Sequence, residues 1–390
     1  LNKEGYEDGA YQSVISPYRE YFKFDRPNEN YSDYEGWWGH VTLPKLNYEQ
    51  SPELIEEIMK IGEKWVSAPY NVDGWRLDVA ADLGHSPLFN HWFWKRFRKR
   101  VREANPQAFI FAEHYGDPSD WFDGKQWDTV MNYDAFMEPV TWFLTGMEKH
   151  SDSRDDRLLG DGIYFFDSMF RNMSKFPRPS LDSALNQLSN HDHSRFLTRT
   201  NRMVGRTATV GPDAAGMGVD KRVFELAVTI QMTWPGCPGI YYADEVGWTD
   251  PDSRRTYPWG QEDKNLIAFH KKLTSLRKRI HCLKMGSIKK LDAGHGYIAY
   301  ARFDGEDCAV VAVNVRDEEI SLSIPVWEAG VPTNVKMKME VATSDEFAGR
   351  QEYRVKYGRL HITLPAKSAC VFSCRLNGKN HSQQMSMFLS

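Results

Sequence analysis

Gly74-Trp75-Arg76-Leu77-Asp78-Val79-Ala80 is the stretch on which the architecture turns. Short and largely apolar, it reads as a strand, and the strand period of two puts Arg76 and Asp78 on one face with Trp75, Leu77 and Val79 on the other. In isolation such a pair reads as a structural salt bridge. Two further segments change the weighing. Phe109-Ile110-Phe111-Ala112 runs into Glu113, and Gln187-Leu188-Ser189 runs into Asn190-His191-Asp192. Three strand-like segments in succession each finish in a carboxylate.

Outward from this stretch, strand and helix signals alternate. Ser51-Pro52 supplies an N-cap and a proline at the first helical position, and Leu54, Ile55, Ile58, Ile61 and Trp65 form an apolar stripe. Strands are expected at 72–80, 108–112, 128–132, 184–189 and 239–243, with helices led by Pro87, after Glu138, over 220–234 and over 262–279. Strands too apolar to face water on either side predict a parallel sheet covered by helices. From about 285 the pattern changes to β-rich runs at 297–303, 308–315, 320–326, 335–341 and 360–374, which predict an antiparallel sandwich. Residues 1–48 carry eleven aromatics without a helix or strand period and read as an ordered, irregular excursion. Residues 376–390 read as a flexible tail.

Composition removes several function classes. Over 390 residues, 49 Lys plus Arg stand against 53 Asp plus Glu, so no basic surface suits a nucleic-acid backbone. No apolar run approaches the roughly 18 residues of a membrane span. Five scattered cysteines form neither a disulfide framework nor a C-x-x-C site, and read as reduced thiols; Cys370 and Cys374, four apart in a strand, share a face. Thirteen tryptophans suit either a large core or the apolar faces of sugar rings.

Residues at the carboxyl ends of parallel barrel strands converge on the face where barrel enzymes keep their chemistry. Carboxylates gathered there repel, so at least one is held protonated, and cleavage of a glycosidic bond by a nucleophile and a general acid requires that mixed state. The residues alone therefore point to a glycoside hydrolase or transglycosylase.

Several motifs, in order, resemble those of the α-amylase family of glycoside hydrolases, and more closely its neopullulanase and cyclomaltodextrinase branch. Gly74–Ala80 is similar to the family's G-[FW]-R-x-D-x-A segment, Phe111-Ala112-Glu113 to its acid/base segment, and Asn190-His191-Asp192 to its N/S-H-D segment. Leu43-Pro44-Lys45-Leu46-Asn47 resembles the branch signature M-P-K-L-N, and 236–247 followed by Asp250-Pro251-Asp252-Ser253-Arg254 also fits. The resemblance implies a (β/α)8 TIM barrel, strands four to eight in this chain, over 49–284, followed by a C-terminal antiparallel β-sandwich at 285–375. The 1–48 excursion would then lie between strands three and four.

By the same resemblance Asp78 is the nucleophile, Glu113 the general acid/base, and Asp192 the grip on hydroxyls of the distorted sugar. Arg76 keeps Asp78 ionised, His191 hydrogen-bonds sugar hydroxyls at the site of the cleaved residue, and Asn190 is a further candidate substrate contact. Carboxyls about 5 to 5.5 Å apart give retention of configuration. Departures fall at Ala81-Asp82, at Ala112, at the His114-Tyr115 pair and at His193, positions that put the choice between α-1,4 and α-1,6 linkages in question. His114 and Tyr115 are candidate substrate contacts. Trp37 and Trp38 either stack on glucose units or pack over the barrel rim, and Arg254 either reaches a non-reducing sugar or pairs with Asp244.

No metal or cofactor is expected; calcium is common in the wider family, but no loop here has its ligand rhythm. The expected partners are an α-glucan, a missing N-terminal barrel segment supplied as a second chain or nicked fragment, and a second copy in a homodimer. Nucleic acid and membrane are excluded, and the expected compartment is the cytoplasm. The rival function is a catalytically inactive glucan-binding or regulatory subunit, which predicts loss of one of the three acids.

Overall fold

A computed structural model describes residues 7–205, 210–249, 253–347, 349 and 351–376. The expected tail therefore lies, beyond Leu376, outside the described residues, as do Asp250, Pro251 and Asp252. The chain divides into two compact units: one runs to His114 and includes Pro118–Val130, the other holds Tyr115–Asp117 and everything from Met131 onward. The boundary between these two units falls within the strand-helix region, while the change to antiparallel strands comes at Ser287.

In the first unit, the aromatic-rich segment forms short 3-10 turns and isolated bridges, among them Phe22 with Leu46 and Gly36 with Pro44. The Pro52–Val66 helix starts where Ser51 Oγ accepts from the Leu54 N–H at 3.4 Å, and Pro87–Ala104 starts the same way, Ser86 Oγ accepting from Phe89 at 3.3 Å. Three parallel strands lie in the order β1 (Gly74–Leu77), β2 (Phe109–Ala112), β3 (Thr129–Val130). Gly74 is required where it stands: a Cβ there would lie 1.9 Å from the Phe109 carbonyl oxygen. Trp75 Nε1 donates to the Gly62 carbonyl at 3.0 Å, fixing β1 against the first helix.

The second unit contains two further parallel strands, β4 (Leu185–Gln187) and β5 (Cys237–Gly239). The last barrel strand was expected at 239–243. It ends earlier because Ala243 adopts a left-handed conformation (φ 68) and begins a 3-10 turn, so the apolar Ile240-Tyr241-Tyr242 run becomes a loop.

After helices at Lys264–Arg279 and His281–Met285 come eight antiparallel strands, β6 (Ser287–Gly294), β7 (Tyr297–Phe303), β8 (Asp307–Asn314), β9 (Ile320–Ile324), β10 (Lys336–Ala342), β11 (Glu352–Arg354), β12 (Leu360–Leu364) and β13 (Ser368–Arg375). They make a six-stranded sheet, β11-β10-β13-β8-β7-β6, and a pair, β12-β9. The expected single run at 360–374 is two strands, broken at Pro365 and at Lys367, whose φ is 47. β6 and β11 were not foreseen because their mixed Lys, Asp, Glu and Gly content hides the alternation.

The central strands β7, β8 and β13 are apolar on both faces, and the packing says why. Ile298, Tyr300, Val311 and Val371 join the core of the preceding helices, while Ala299, Val310, Cys370 and Phe372 pack toward β9 and β12. Buried Arg302 rivets sheet to helices, donating to the carbonyls of Thr233 (2.7 Å), Leu283 (3.1 Å) and Gly286 (2.8 Å). Cys370 and Cys374 do face the same side, toward the β9–β12 pair. Among the described residues no helix is long and apolar enough to cross a membrane.

Candidate active site

Within the first unit, β1 ends at Leu77, one residue before Asp78. Val79 then takes φ 44, a left-handed conformation costing about 1–2 kcal/mol for a side chain with a Cβ. The turn that follows is over-determined. Buried Asn90 donates through Nδ2 to the carbonyls of Ala80 (2.9 Å), Ala81 (3.1 Å) and Leu83 (2.9 Å), and Trp94 Nε1 donates to Ala80 at 2.8 Å. The strained Val79 aims its N–H at Glu113 Oε2, 3.1 Å away. Nothing in the sequence signalled this; Val79 read as one more strand residue.

Arg76 ion-pairs with Asp78 and also lies 3.1 Å from Glu113 Oε2. The two carboxylates have opposite environments: the Asp78 side chain is 73% exposed, that of Glu113 only 10%. Burial raises the Glu113 pKa above the ordinary carboxyl value, and the charge and hydrogen bond of Asp78 push the same way; the Val79 N–H and Arg76 oppose them without reversing the direction. An exposed carboxylate paired with a cation thus stands beside a buried carboxyl biased toward its protonated form. His114 packs its ring against Trp121 and Trp127 at centroid distances of 5.0 and 6.0 Å. Trp37 and Trp38 contact each other (5.6 Å), with Lys45 Nζ 4.7 Å above Trp37 and Trp38 largely exposed.

The second unit holds the other candidates. Asn190 is buried, and its Oδ1 accepts from the N–H groups of Asp192 (2.9 Å) and His193 (3.2 Å) while its Nδ2 reaches the Tyr133 hydroxyl. It shapes the turn rather than facing solvent. Asp192 Oδ2 lies 3.3 Å from His191 Nε2, and Oδ1 accepts from Arg254 Nη2 at 2.9 Å. The expected alternative partner of Arg254 is already taken, because Asp244 pairs with fully buried Arg195 at 2.9 Å.

Tyr115 stacks on Tyr133 (4.1 Å, 17°), Lys149 Nζ lies 5.6 Å from its ring centroid, and its hydroxyl meets His193 Nε2 at 3.2 Å. Burial, then the nearby basic side chains led by His150, pull the His193 pKa down to about 2, so its imidazole is neutral. His150 Nδ1 lies 3.1 Å from the Asp192 carbonyl oxygen. It was missed because it sits in the charge-dense 149–157 segment, which read only as a solvated loop.

Thus Asp78, Glu113 and Arg76 come together in one unit, and Asp192, His191, Asn190, Tyr115 and Arg254 belong to the other.

A model of the alpha-amylase catalytic domain matches residues 4–280. The chain belongs to the alpha-amylase family. It is 31% identical over 380 residues to neopullulanase 2 of Thermoactinomyces vulgaris, covering 93% of this chain and 57% of that protein. A cyclomaltodextrinase from a Bacillus species is 33% identical over 279 residues, covering 70% of this chain and 43% of that protein. Among solved structures, the debranching enzyme from Nostoc punctiforme superimposes with a TM-score of 0.74 at 29% identity, over 94% of this chain and 72% of that one. A cyclomaltodextrinase superimposes with a TM-score of 0.73 at 28% identity, over 92% and 55%. The chain spans about half the length of the first relatives it matches, 57% and 55% for the neopullulanase and a second cyclomaltodextrinase. As an alpha-amylase family member it carries that family's TIM-barrel catalytic domain, followed by the antiparallel sheets described above.

Proposed function

We propose that this chain is the catalytic part of a retaining glycoside hydrolase that cleaves α-glucosidic bonds in maltodextrins, cyclodextrins, starch or pullulan by double displacement. In this reading β1 to β5 are barrel strands four to eight. Asp78 attacks the anomeric carbon while Glu113 protonates the leaving oxygen; Glu113 then takes a proton from water, which releases the sugar with its original configuration. Asp192, by its place in the family motif, accepts hydrogen bonds from sugar hydroxyls. A sugar hydroxyl in place of water gives transglycosylation. The reaction as written requires no cofactor.

The observation that carries this reading is Arg76 between an exposed Asp78 and a buried Glu113 whose pKa is raised, because the two steps need one carboxylate ionised and the other protonated at the same pH. Family membership and the names of the relatives supply the substrate class.

The test is turnover of maltodextrin, β-cyclodextrin and pullulan by the chain and by Asp78→Ala and Glu113→Gln. Each variant is expected to lose at least about a hundredfold in kcat, the lower bound for general acid catalysis. Near-normal turnover in either refutes the pairing, and a wild-type chain that binds maltodextrin without cleaving it points to the inactive glucan-binding alternative. Panose from pullulan marks α-1,4 cleavage, and maltotriose marks α-1,6.

A further inference from the structure

We propose that Arg254 is a positioning residue for Asp192, its guanidinium holding the carboxylate in the orientation that receives sugar hydroxyls. The proposal rests on the assignment of Asp192 above and adds what fixes it. Arg254 touches the Asp192 turn twice, Nε donating to the His191 carbonyl at 2.8 Å and Nη2 to Asp192 Oδ1 at 2.9 Å. Its neighbours are tied down independently. Ser253 Oγ donates to the His193 carbonyl at 2.7 Å, and the hydroxyls of Tyr241 and Tyr242 donate to the carbonyls of Ser253 and Arg255.

The consequence follows from the shape of a guanidinium. With Nε anchored on a backbone carbonyl, the planar fork leaves Nη2 at a fixed point, so the carboxylate it meets has one favoured rotamer. The stability gained is small, because the side chains are 63% and 33% exposed and water screens such a pair. What the arrangement supplies is orientation. A carboxylate offers roughly four lone-pair sites; Arg254 and His191 occupy one on each oxygen, leaving the others for sugar O–H donors. Binding to an acceptor already held in place loses less conformational entropy than binding to a free one.

A double-mutant cycle tests this. Maltotetraose affinity by calorimetry is measured in the slow Glu113→Gln background, and kcat/KM in the active chain, for wild-type Arg254, Arg254→Met, Asp192→Asn and the double variant, each with its thermal midpoint. Arg254→Met is expected to weaken binding about tenfold without a matching loss of melting temperature, and to add nothing in the Asp192→Asn background. Added guanidinium ion restores part of the loss in Arg254→Met and none in Asp192→Asn, and Arg254→Lys falls between wild type and Met. Equal losses in both backgrounds, or none in either, overturn the proposal. If Asp192→Asn alone leaves affinity and turnover unchanged, the underlying assignment of Asp192 fails, a result distinct from the failure of Arg254 alone.

Discussion

Replacing Arg76 with Met removes the cation that contacts both Asp78 and Glu113 while keeping much of the side chain's apolar volume. At the 3.1 Å separation from Glu113, an effective dielectric constant of about 20 gives a Coulomb attraction near 5 kcal/mol. Water at an Arg76 side chain that is 25% exposed screens part of it, leaving about 2 kcal/mol, between that ceiling and the value of a surface pair. Losing it shifts Glu113 roughly thirtyfold toward its protonated form. The general acid works protonated, so its loss of a proton sets the alkaline limb of the pH–rate profile. Arg76→Met therefore moves that limb to higher pH, whatever it does to the maximal rate. The assay is kcat/KM on a soluble maltooligosaccharide across the pH range, with a direct titration of the Glu113 carboxyl by carbon NMR. Asp78→Asn, which removes a negative neighbour, shifts the Glu113 titration the opposite way. A limb that stays put or moves to lower pH in Arg76→Met refutes the electrostatic reasoning.

Other outcomes follow from single features of the fold. Burial, reinforced by Asp263, Asp345 and Asp220, pushes the Glu225 pKa up to about 7; stability from this raised group is fully present below about pH 4.5 and lost as pH rises through 7, so Glu225→Gln should gain about 1–2 kcal/mol at pH 8 and little at pH 4, read by denaturant melts. Gly74→Ala drives a Cβ into the Phe109 carbonyl, 1.9 Å away, and should cost about 2–3 kcal/mol in the same melts. Arg302→Met strands the carbonyls of Thr233 and Leu283 in the interior and leaves that of Gly286 to Arg178 alone, which should cost about 3–5 kcal/mol and lower the thermal midpoint by roughly 5–15 °C.

The parallel order of strands and the carboxylates at their ends were legible because apolar runs, helix starts such as Ser51-Pro52 and Pro87, and motif spacing are all local signals. What was not legible depends on partners distant in sequence. The left-handed Val79 exists because Asn90 and Trp94 capture the carbonyls beyond it. β5 stops at Gly239 because the chain turns into the loop whose Tyr241 and Tyr242 hydroxyls bind Ser253 and Arg255. Arg254 has Asp192 as its partner because Asp244 is claimed by Arg195, a competition no spacing reveals. The continuous apolar character of β8 likewise has its cause in two packed faces, one on the helices and one on β9 and β12.

The division of labour between Asp78 and Glu113 is the central claim, and trapping the glycosyl intermediate tests it most directly. The Glu113→Gln variant, incubated with an α-glucosyl fluoride whose good leaving group needs no acid, should accumulate a covalent adduct, and peptide mass spectrometry should locate one glucosyl unit on Asp78. A glucosyl unit on another residue, or turnover with inversion and no adduct, would contradict it.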